Sequence, residues 1–279
     1  MRSSARSRPF EPFFLRAGRG ERFCIFHPAS ADPRGAVLYL PPFAEEMNKS
    51  RRMAALQSRA LAASGLAVLQ IDLFGCGDSS GEYGEASWEI WREDVALAMR
   101  WLAQHVHPAI TMWGLRLGAL LALDAAPQCD PAPAAFVFWQ PVLKGEALMT
   151  QFLRLRVASE MLSEGKSRSG VQDLRAALAA GATVEIAGYD LSQQLVAAID
   201  DLALDAQRPA CAVRWFEVVA EAGRALPPAA QRIVDDWSRA GLRIDVHRVA
   251  GQAFWNTVEI AECPALISAT TAALADHRQ

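Results

Sequence analysis

Two patterns of apolar and polar positions alternate along most of the chain. Short apolar runs, such as residues 36–40 and 135–140, are typical of strands buried on both faces of a sheet. Longer stretches with apolar residues every three or four positions, such as residues 86–104, indicate amphipathic helices. Strands that alternate with helices in this way predict a parallel sheet covered by helices.

The same patterns give the bounds of each predicted element. Apolar residues on both sides of Gly18 and Gly20 predict a leading hairpin over residues 13–26. Further strands are predicted at 36–40, 66–73, 109–113, 135–140, 211–220 and 242–249. Helices are predicted at 51–64, at 86–104, from about 115, at 228–239 and at 264–275. Residues 144–206 are mostly helical, and we expect them to form a lid inserted into one domain of residues 1–279.

Composition limits the classes of function. The 279 residues are 52% hydrophobic and 21% charged, which suits one large α/β domain. A net charge of −3 argues against a nucleic-acid partner. Five scattered cysteines without a C-x-x-C pair indicate a reducing compartment and no structural zinc. We find neither a membrane span nor a signal peptide, and we expect a cytoplasmic protein without metal or cofactor.

The segment from Trp113 to Gly118 (WGLRLG) lies between a predicted strand and a predicted helix. Its two glycines have the G-x-S-x-G spacing of a nucleophile elbow, the sharp turn that presents the catalytic serine in α/β hydrolases. The spacing, together with the alternating strands and helices, predicts an α/β-hydrolase fold with a mostly parallel central sheet flanked by helices. Arg116 stands where the serine would be, and a guanidinium keeps its proton and cannot attack a carbonyl.

Three other strand ends are expected to meet at this edge of the sheet. The loop 41–50 (PPFAEEMNKS) holds two adjacent acids, Glu45 and Glu46, either of which could pair with Arg116. The turn 72–81 (DLFGCGDSSG) is expected to be mainly structural. On the loop after the last strand, residues 249–256 (VAGQAFWN) contain no histidine, so the usual base is missing too. Glu221, after the preceding strand, is a weak candidate for the acid of a triad.

Several of these segments resemble a known family. Residues 41–53, 72–81, 113–123, 188–191 and 254–266 are similar to the exosortase A system-associated hydrolase 2 family. The resemblance implies a bacterial cytoplasmic protein of the α/β-hydrolase superfamily that accompanies exosortase, PEP-CTERM protein sorting and exopolysaccharide production. It implies no substrate, and it assigns neither a catalytic serine nor a histidine, because Arg116 and Gln252–Phe254 occupy the matching positions.

Three functions remain open on the sequence alone. The chain is an enzyme without a triad, with Glu45 or Glu46 as base or nucleophile and Arg116 holding an anionic acyl or phosphate-bearing substrate. Alternatively, it is a non-catalytic protein that binds a small acidic ligand or a partner peptide. A third hypothesis is a hydrolase with a displaced nucleophile among Cys76, Ser79 and Ser80. The residues predicted to bind the ligand are Phe43, Asn48, Cys76, Asp78, Leu115, Arg116, Leu117, Phe254 and Trp255.

Overall fold

An eight-stranded sheet forms the centre of the molecule. The computed structural model describes residues 10–164 and 170–275. Its strands are β1 (Glu11–Arg16), β2 (Glu21–His27), β3 (Ala36–Leu40), β4 (Ala67–Ile71), β5 (Ile110–Leu115), β6 (Ala135–Trp139), β9 (Val213–Val219) and β10 (Ile244–Ala250). Across the sheet they follow the order β1-β2-β4-β3-β5-β6-β9-β10.

Only the start of this sheet departs from parallel pairing. β2 pairs antiparallel with both β1 and β4, and every other neighbouring pair is parallel. All five residues of β3 and all five of β6 are buried, as the uninterrupted apolar runs predict. This arrangement, with helices on both faces, confirms the predicted α/β-hydrolase fold.

Eight helices accompany these strands in the part of the chain that the structure describes. They are α1 (Glu45–Ala63), α2 (Trp88–His105), α3 (Leu117–Ala125), α4 (Gly145–Glu164), α5 (Val171–Ala179), α6 (Gln193–Asp200), α7 (Pro228–Arg239) and α8 (Pro264–Ala275). The predicted bounds of α7 and α8 agree with the structure. None of the described helices is long and apolar enough to cross a membrane.

The start of α1 differs from the prediction. The helix begins at Glu45 rather than at residue 51, so the acidic pair lies in a first helical turn and not in a loop. Two carboxylates in the first turn stabilise a helix because they oppose the partial positive charge of its N-terminus. Ala44 precedes the helix with φ 50°, and its methyl side chain cannot cap the helix with a hydrogen bond.

Residues 144–206 contain strands as well as helices. The antiparallel pair β7 (Val184–Ile186) and β8 (Tyr189–Leu191) joins α5 to α6 and was not predicted. Ala187 and Gly188 both have positive φ between these strands, as a two-residue hairpin turn requires. Residues 165–169 of the predicted insertion lie outside the described residues. Its role as a lid stays a prediction.

Candidate functional site

Arg116 is the residue between β5 and α3, and its backbone has the conformation of a nucleophile elbow. Its φ of 55° and ψ of −115° lie outside the regions that side-chain-bearing residues usually adopt. Its N–H donates to the Trp139 carbonyl at 2.9 Å, and its carbonyl accepts from the Ala119 N–H at 3.1 Å. These bonds tie the strained residue to β6 and to α3, so the surrounding frame imposes the turn.

The two elbow glycines are required by close backbone contacts. A Cβ atom on Gly114 would lie 2.4 Å from the Ala119 nitrogen. A Cβ on Gly118 would lie 2.3 Å from the Leu40 carbonyl oxygen, because α3 packs directly against the end of β3. The elbow is therefore built as in an active hydrolase, although its central residue is an arginine.

The side chain of Arg116 contacts an acid and an aromatic ring. Its Nε lies 3.2 Å and 3.4 Å from the two carboxylate oxygens of Glu46, and both side chains are 17% exposed. Its Cζ lies 5.6 Å from the centre of the Trp255 ring, within the range of a cation–π interaction. Glu45 instead lies 3.6 Å from Lys49, one turn along α1. The helix therefore directs Glu46, and not Glu45, towards the elbow.

Burial and the nearby guanidinium act on Glu46 in opposite directions. Burial raises the pKa of Glu46 above its usual value and outweighs the charge and hydrogen bond of Arg116, which lower it. Glu46 therefore becomes protonated at a higher pH than an exposed glutamate. Glu46 compensates the charge of Arg116 only when it has lost this proton.

A cavity of about 300 Å³ opens beside the pair. We call it the aromatic cavity; it is lined by Phe43, Glu45, Glu46, Arg116, Leu148, Gln151, Phe152, Leu155, Trp255 and Asn256. The insertion supplies one wall, because Leu148, Gln151, Phe152 and Leu155 all belong to α4. Within the described part of the chain, no hydrogen bond engages either Nη group of Arg116. The guanidinium therefore keeps donors for a ligand.

A second cavity of about 300 Å³, the β9 cavity, also contains Arg116. It is lined by Arg116, Gln140, Pro141, Val142, Leu143, Lys144, Ala147, Leu148, Gln151, Glu217, Pro227 and Ala230. Glu217 on β9 is 4% exposed and accepts from Gln140 Nε2 at 2.7 Å and from Trp215 Nε1 at 2.9 Å. Burial raises the pKa of Glu217, and the hydrogen bonds and Arg116 oppose that rise. Our sequence analysis missed Glu217, although a charged residue within an apolar strand was a usable signal.

Six of the predicted binding residues do not line either of these cavities. Leu115 and Phe254 are fully buried in the core beneath α1 and α8. Cys76 and Leu117 border a separate small space next to Tyr83. Asp78 is exposed on its turn, and Asn48 is exposed and donates to the Tyr189 hydroxyl at 3.1 Å. Of the nine predicted binding residues, only Phe43, Arg116 and Trp255 line these cavities.

The displaced nucleophiles of the third hypothesis have structural partners. Ser79 Oγ donates to the Asp72 carbonyl at 2.5 Å and accepts from the Phe23 N–H at 2.9 Å. Ser80 Oγ accepts from the Glu21 N–H at 3.0 Å. Burial raises the pKa of the Cys76 thiol far above its usual value, so almost none is present as thiolate. These contacts hold the turn against β2, and none of these bonds joins Ser79 or Ser80 to a side-chain base.

The position of the usual base is occupied by an aromatic wall. Phe254–Asn256 forms a 3₁₀ helix after β10, and its Trp255 ring packs on Arg116. His247 lies within β10, where its ring stacks on Phe216 at 4.5 Å. Glu221 is exposed and has no described contact with a base. Among the described residues we also find no cluster of His, Cys, Asp and Glu suited to a metal ion.

Comparison of the chain with known proteins identifies its family. The profile of the serine aminopeptidase S33 family matches residues 31–233. Among solved structures, Est1E of Butyrivibrio proteoclasticus, solved with ferulic acid, is 14% identical, with a TM-score of 0.66 over 94% of this chain and 97% of its own. Proline iminopeptidase of Mycobacterium smegmatis is 12% identical, with a TM-score of 0.61 over 96% of this chain and 98% of its own.

A third solved structure, the mouse α/β-hydrolase domain-containing protein 10, is 16% identical, with a TM-score of 0.54 over 95% of this chain and 97% of its own. At these identities the solved structures show the shared fold and nothing of the substrate. A search of curated proteins finds no match to this chain. The family profile covers well over half of the residues, from the approach to β3 as far as α7. The chain belongs to the serine aminopeptidase S33 family of α/β hydrolases.

Proposed function

We propose that this protein binds a small anionic or acyl ligand at Arg116 and does not hydrolyse it through a serine triad. The observation that carries the proposal is the arginine at the nucleophile position, which lines both cavities with its Nη groups unengaged by described residues. A guanidinium forms paired, charge-assisted hydrogen bonds with carboxylate or phosphate oxygens. The Trp255 ring and the leucines of α4 would hold an apolar portion of the same ligand.

The loss of two triad members favours binding over triad catalysis. Removing the nucleophile or the base of a serine triad alone costs most of the rate. Here Arg116 replaces the first, and an aromatic segment stands where the second is expected. The intact elbow then serves to fix the guanidinium at the centre of the site.

A second candidate function is non-triad acid–base catalysis by Glu46. Its pKa is raised by burial, and it borders the aromatic cavity, as a general acid would. In this mechanism Arg116 would hold the substrate anion while Glu46 transfers a proton. The two candidates differ in one respect: only the second requires turnover of the bound molecule.

The cellular context is proposed from the resemblance of the sequence segments. We place the protein in the cytoplasm of a bacterium with an exosortase A system, with residues 144–206 acting as a lid over the ligand. Deletion of the gene would then reduce the export of PEP-CTERM proteins or of exopolysaccharide. Unchanged export of both would remove this context without affecting the binding site.

The function is tested by measuring labelling, turnover and binding on the same protein. We expect no labelling by a fluorophosphonate probe and no hydrolysis of p-nitrophenyl butyrate. We expect isothermal titration calorimetry to detect binding of hexanoate. Arg116→Gln should lower the affinity for hexanoate at least about tenfold, because one charge-assisted bidentate contact is lost. Arg59→Gln on the exposed face of α1 removes the same charge elsewhere and is the control.

Each outcome assigns the site differently. Labelling at Ser79 or Ser80 would restore the hydrolase with a displaced nucleophile. Turnover that stops in Glu46→Gln, and for which Arg116→Gln raises KM, would favour acid–base catalysis by Glu46 with Arg116 holding the substrate. Equal binding of hexanoate by wild type and Arg116→Gln would overturn the proposed anion site.

A further inference from the structure

The aromatic cavity and the β9 cavity share one positively charged residue, Arg116. Both are lined by Arg116, and both also include Leu148 and Gln151 of α4. Each has a volume of about 300 Å³, at the lower end of the range for ligand pockets. A ligand anchored at Arg116 therefore has space on two sides of its anionic group.

This geometry separates classes of anion. A carboxylate ends its chain, so an unbranched carboxylate held at Arg116 can extend into only one cavity. A phosphodiester carries one negative charge and continues through an ester oxygen on each side. We propose, on the basis of the proposed function, that the ligand is a phosphodiester with an alkyl or acyl arm in the aromatic cavity and a short hydroxylated arm in the β9 cavity.

The hydrogen-bond donors of Arg116 suit the two non-bridging oxygens of a phosphodiester. Arg116 Nε donates to the two carboxylate oxygens of Glu46 at 3.2 Å and 3.4 Å, and no described residue accepts from either Nη group. Two Nη groups can donate to the two non-bridging oxygens of a phosphodiester. The centre of the Trp255 ring lies 5.6 Å from Arg116 Cζ, so the ring contributes a cation–π contact.

The aromatic cavity suits the alkyl arm. Phe43, Phe152 and Trp255 supply three aromatic side chains to the aromatic cavity, and Leu155 extends that wall along α4. Contact with these apolar surfaces stabilises an alkyl chain through the hydrophobic effect.

The β9 cavity offers hydrogen-bond acceptors deep in its wall. Glu217 is 4% exposed, and each of its carboxylate oxygens accepts one described bond, from Gln140 or from Trp215. A carboxylate oxygen accepts up to two bonds, so lone pairs remain for hydroxyl donors. Glycerol hydroxyls can donate to these remaining lone pairs. An alkyl chain would contact only the apolar residues of the β9 cavity, such as Val142 and Leu143, and would leave those lone pairs without donors.

Isothermal titration calorimetry with two monoanionic diesters tests the proposal. Methyl hexyl phosphate carries the alkyl arm alone, and glyceryl hexyl phosphate carries both arms. We expect glyceryl hexyl phosphate to bind at least about tenfold tighter than methyl hexyl phosphate, and Ala147→Trp to remove this advantage by filling the β9 cavity. Ala147 is exposed on α4 and lines only that cavity of the two.

Ala158→Trp is the matched control, since it makes the same exchange at an exposed position of α4 that lines neither cavity. It should preserve the tenfold difference between the two diesters. Equal binding of the two diesters by wild type, or a difference that survives Ala147→Trp, would overturn the two-armed ligand while leaving an anion site at Arg116. If neither diester nor hexanoate binds, the proposed function itself fails.

Discussion

One side chain decides what the elbow can do. The strained backbone of Arg116 costs about 1–3 kcal/mol, and the packed frame of β5, β6 and α3 maintains it whatever residue is present. The spacing of Gly114 and Gly118 therefore predicted the position of Arg116 at the site. The choice between Glu45 and Glu46 could not be predicted, because it depends on where α1 begins and thus on the phase of the helix.

The pH dependence of anion binding follows from Glu46. Burial raises its pKa above the usual value, so it gains a proton as pH falls through that raised pKa and no longer compensates Arg116. We therefore expect hexanesulfonate, which stays ionised, to bind more tightly at lower pH, by up to about tenfold per pH unit above the pKa of Glu46. Titration calorimetry from pH 4.5 to pH 8 measures this slope.

Two variants separate Glu46 from its charged neighbours. Glu46→Gln should bind hexanesulfonate tightly with a much smaller slope, to which Glu217 still contributes through its own raised pKa. Glu45→Gln removes the same charge from the adjacent residue, which contacts Lys49, and should keep most of the wild-type slope. A slope unchanged by Glu46→Gln would show that this carboxylate does not control the charge at Arg116.

At the scale of elements, the apolar patterns predicted the sheet and its helices well. Continuous apolar runs located β3 and β6, and helical spacing located α7 and α8. The pair β7 and β8 was missed because each strand has only three residues, too few to show alternation. Glu217 was missed although it interrupts an apolar strand, whereas its hydrogen bonds with Trp215 and Gln140 form only in the fold and could not be predicted.

The contact between α3 and β3 can be tested through Gly118. Gly118→Ala would place a methyl group 2.3 Å from the Leu40 carbonyl oxygen, so the helix must shift away from the strand. We expect this variant to lose about 2–3 kcal/mol of unfolding free energy. Gly18→Ala, which adds a methyl group in open space, should change stability by less than about 0.5 kcal/mol. Urea unfolding compares the two, and equal midpoints would contradict the close packing.

Most thiols of the molecule are buried, and this burial favours a structural role for Cys76 over a reactive one. Of the five cysteines, only Cys211 is partly exposed; Cys24, Cys76, Cys129 and Cys263 are buried. Burial raises the pKa of every one of these thiols, that of Cys211 to about 11, so the reactive thiolate is scarce at neutral pH. The sequence predicted a reducing environment but could not rank the five, because burial depends on the finished fold.

Alkylation by iodoacetamide measures the relative reactivity of the five cysteines. In the native protein we expect Cys211 to react first, with a rate that rises about tenfold per pH unit between pH 7 and pH 9, since that range lies below its pKa. The other four thiols should react only when urea unfolds the chain, and Cys211→Ala should leave the native protein almost unlabelled. Fast native labelling at Cys76 would instead require an activating base beside it, and the displaced-nucleophile hydrolase would return as the function of this fold.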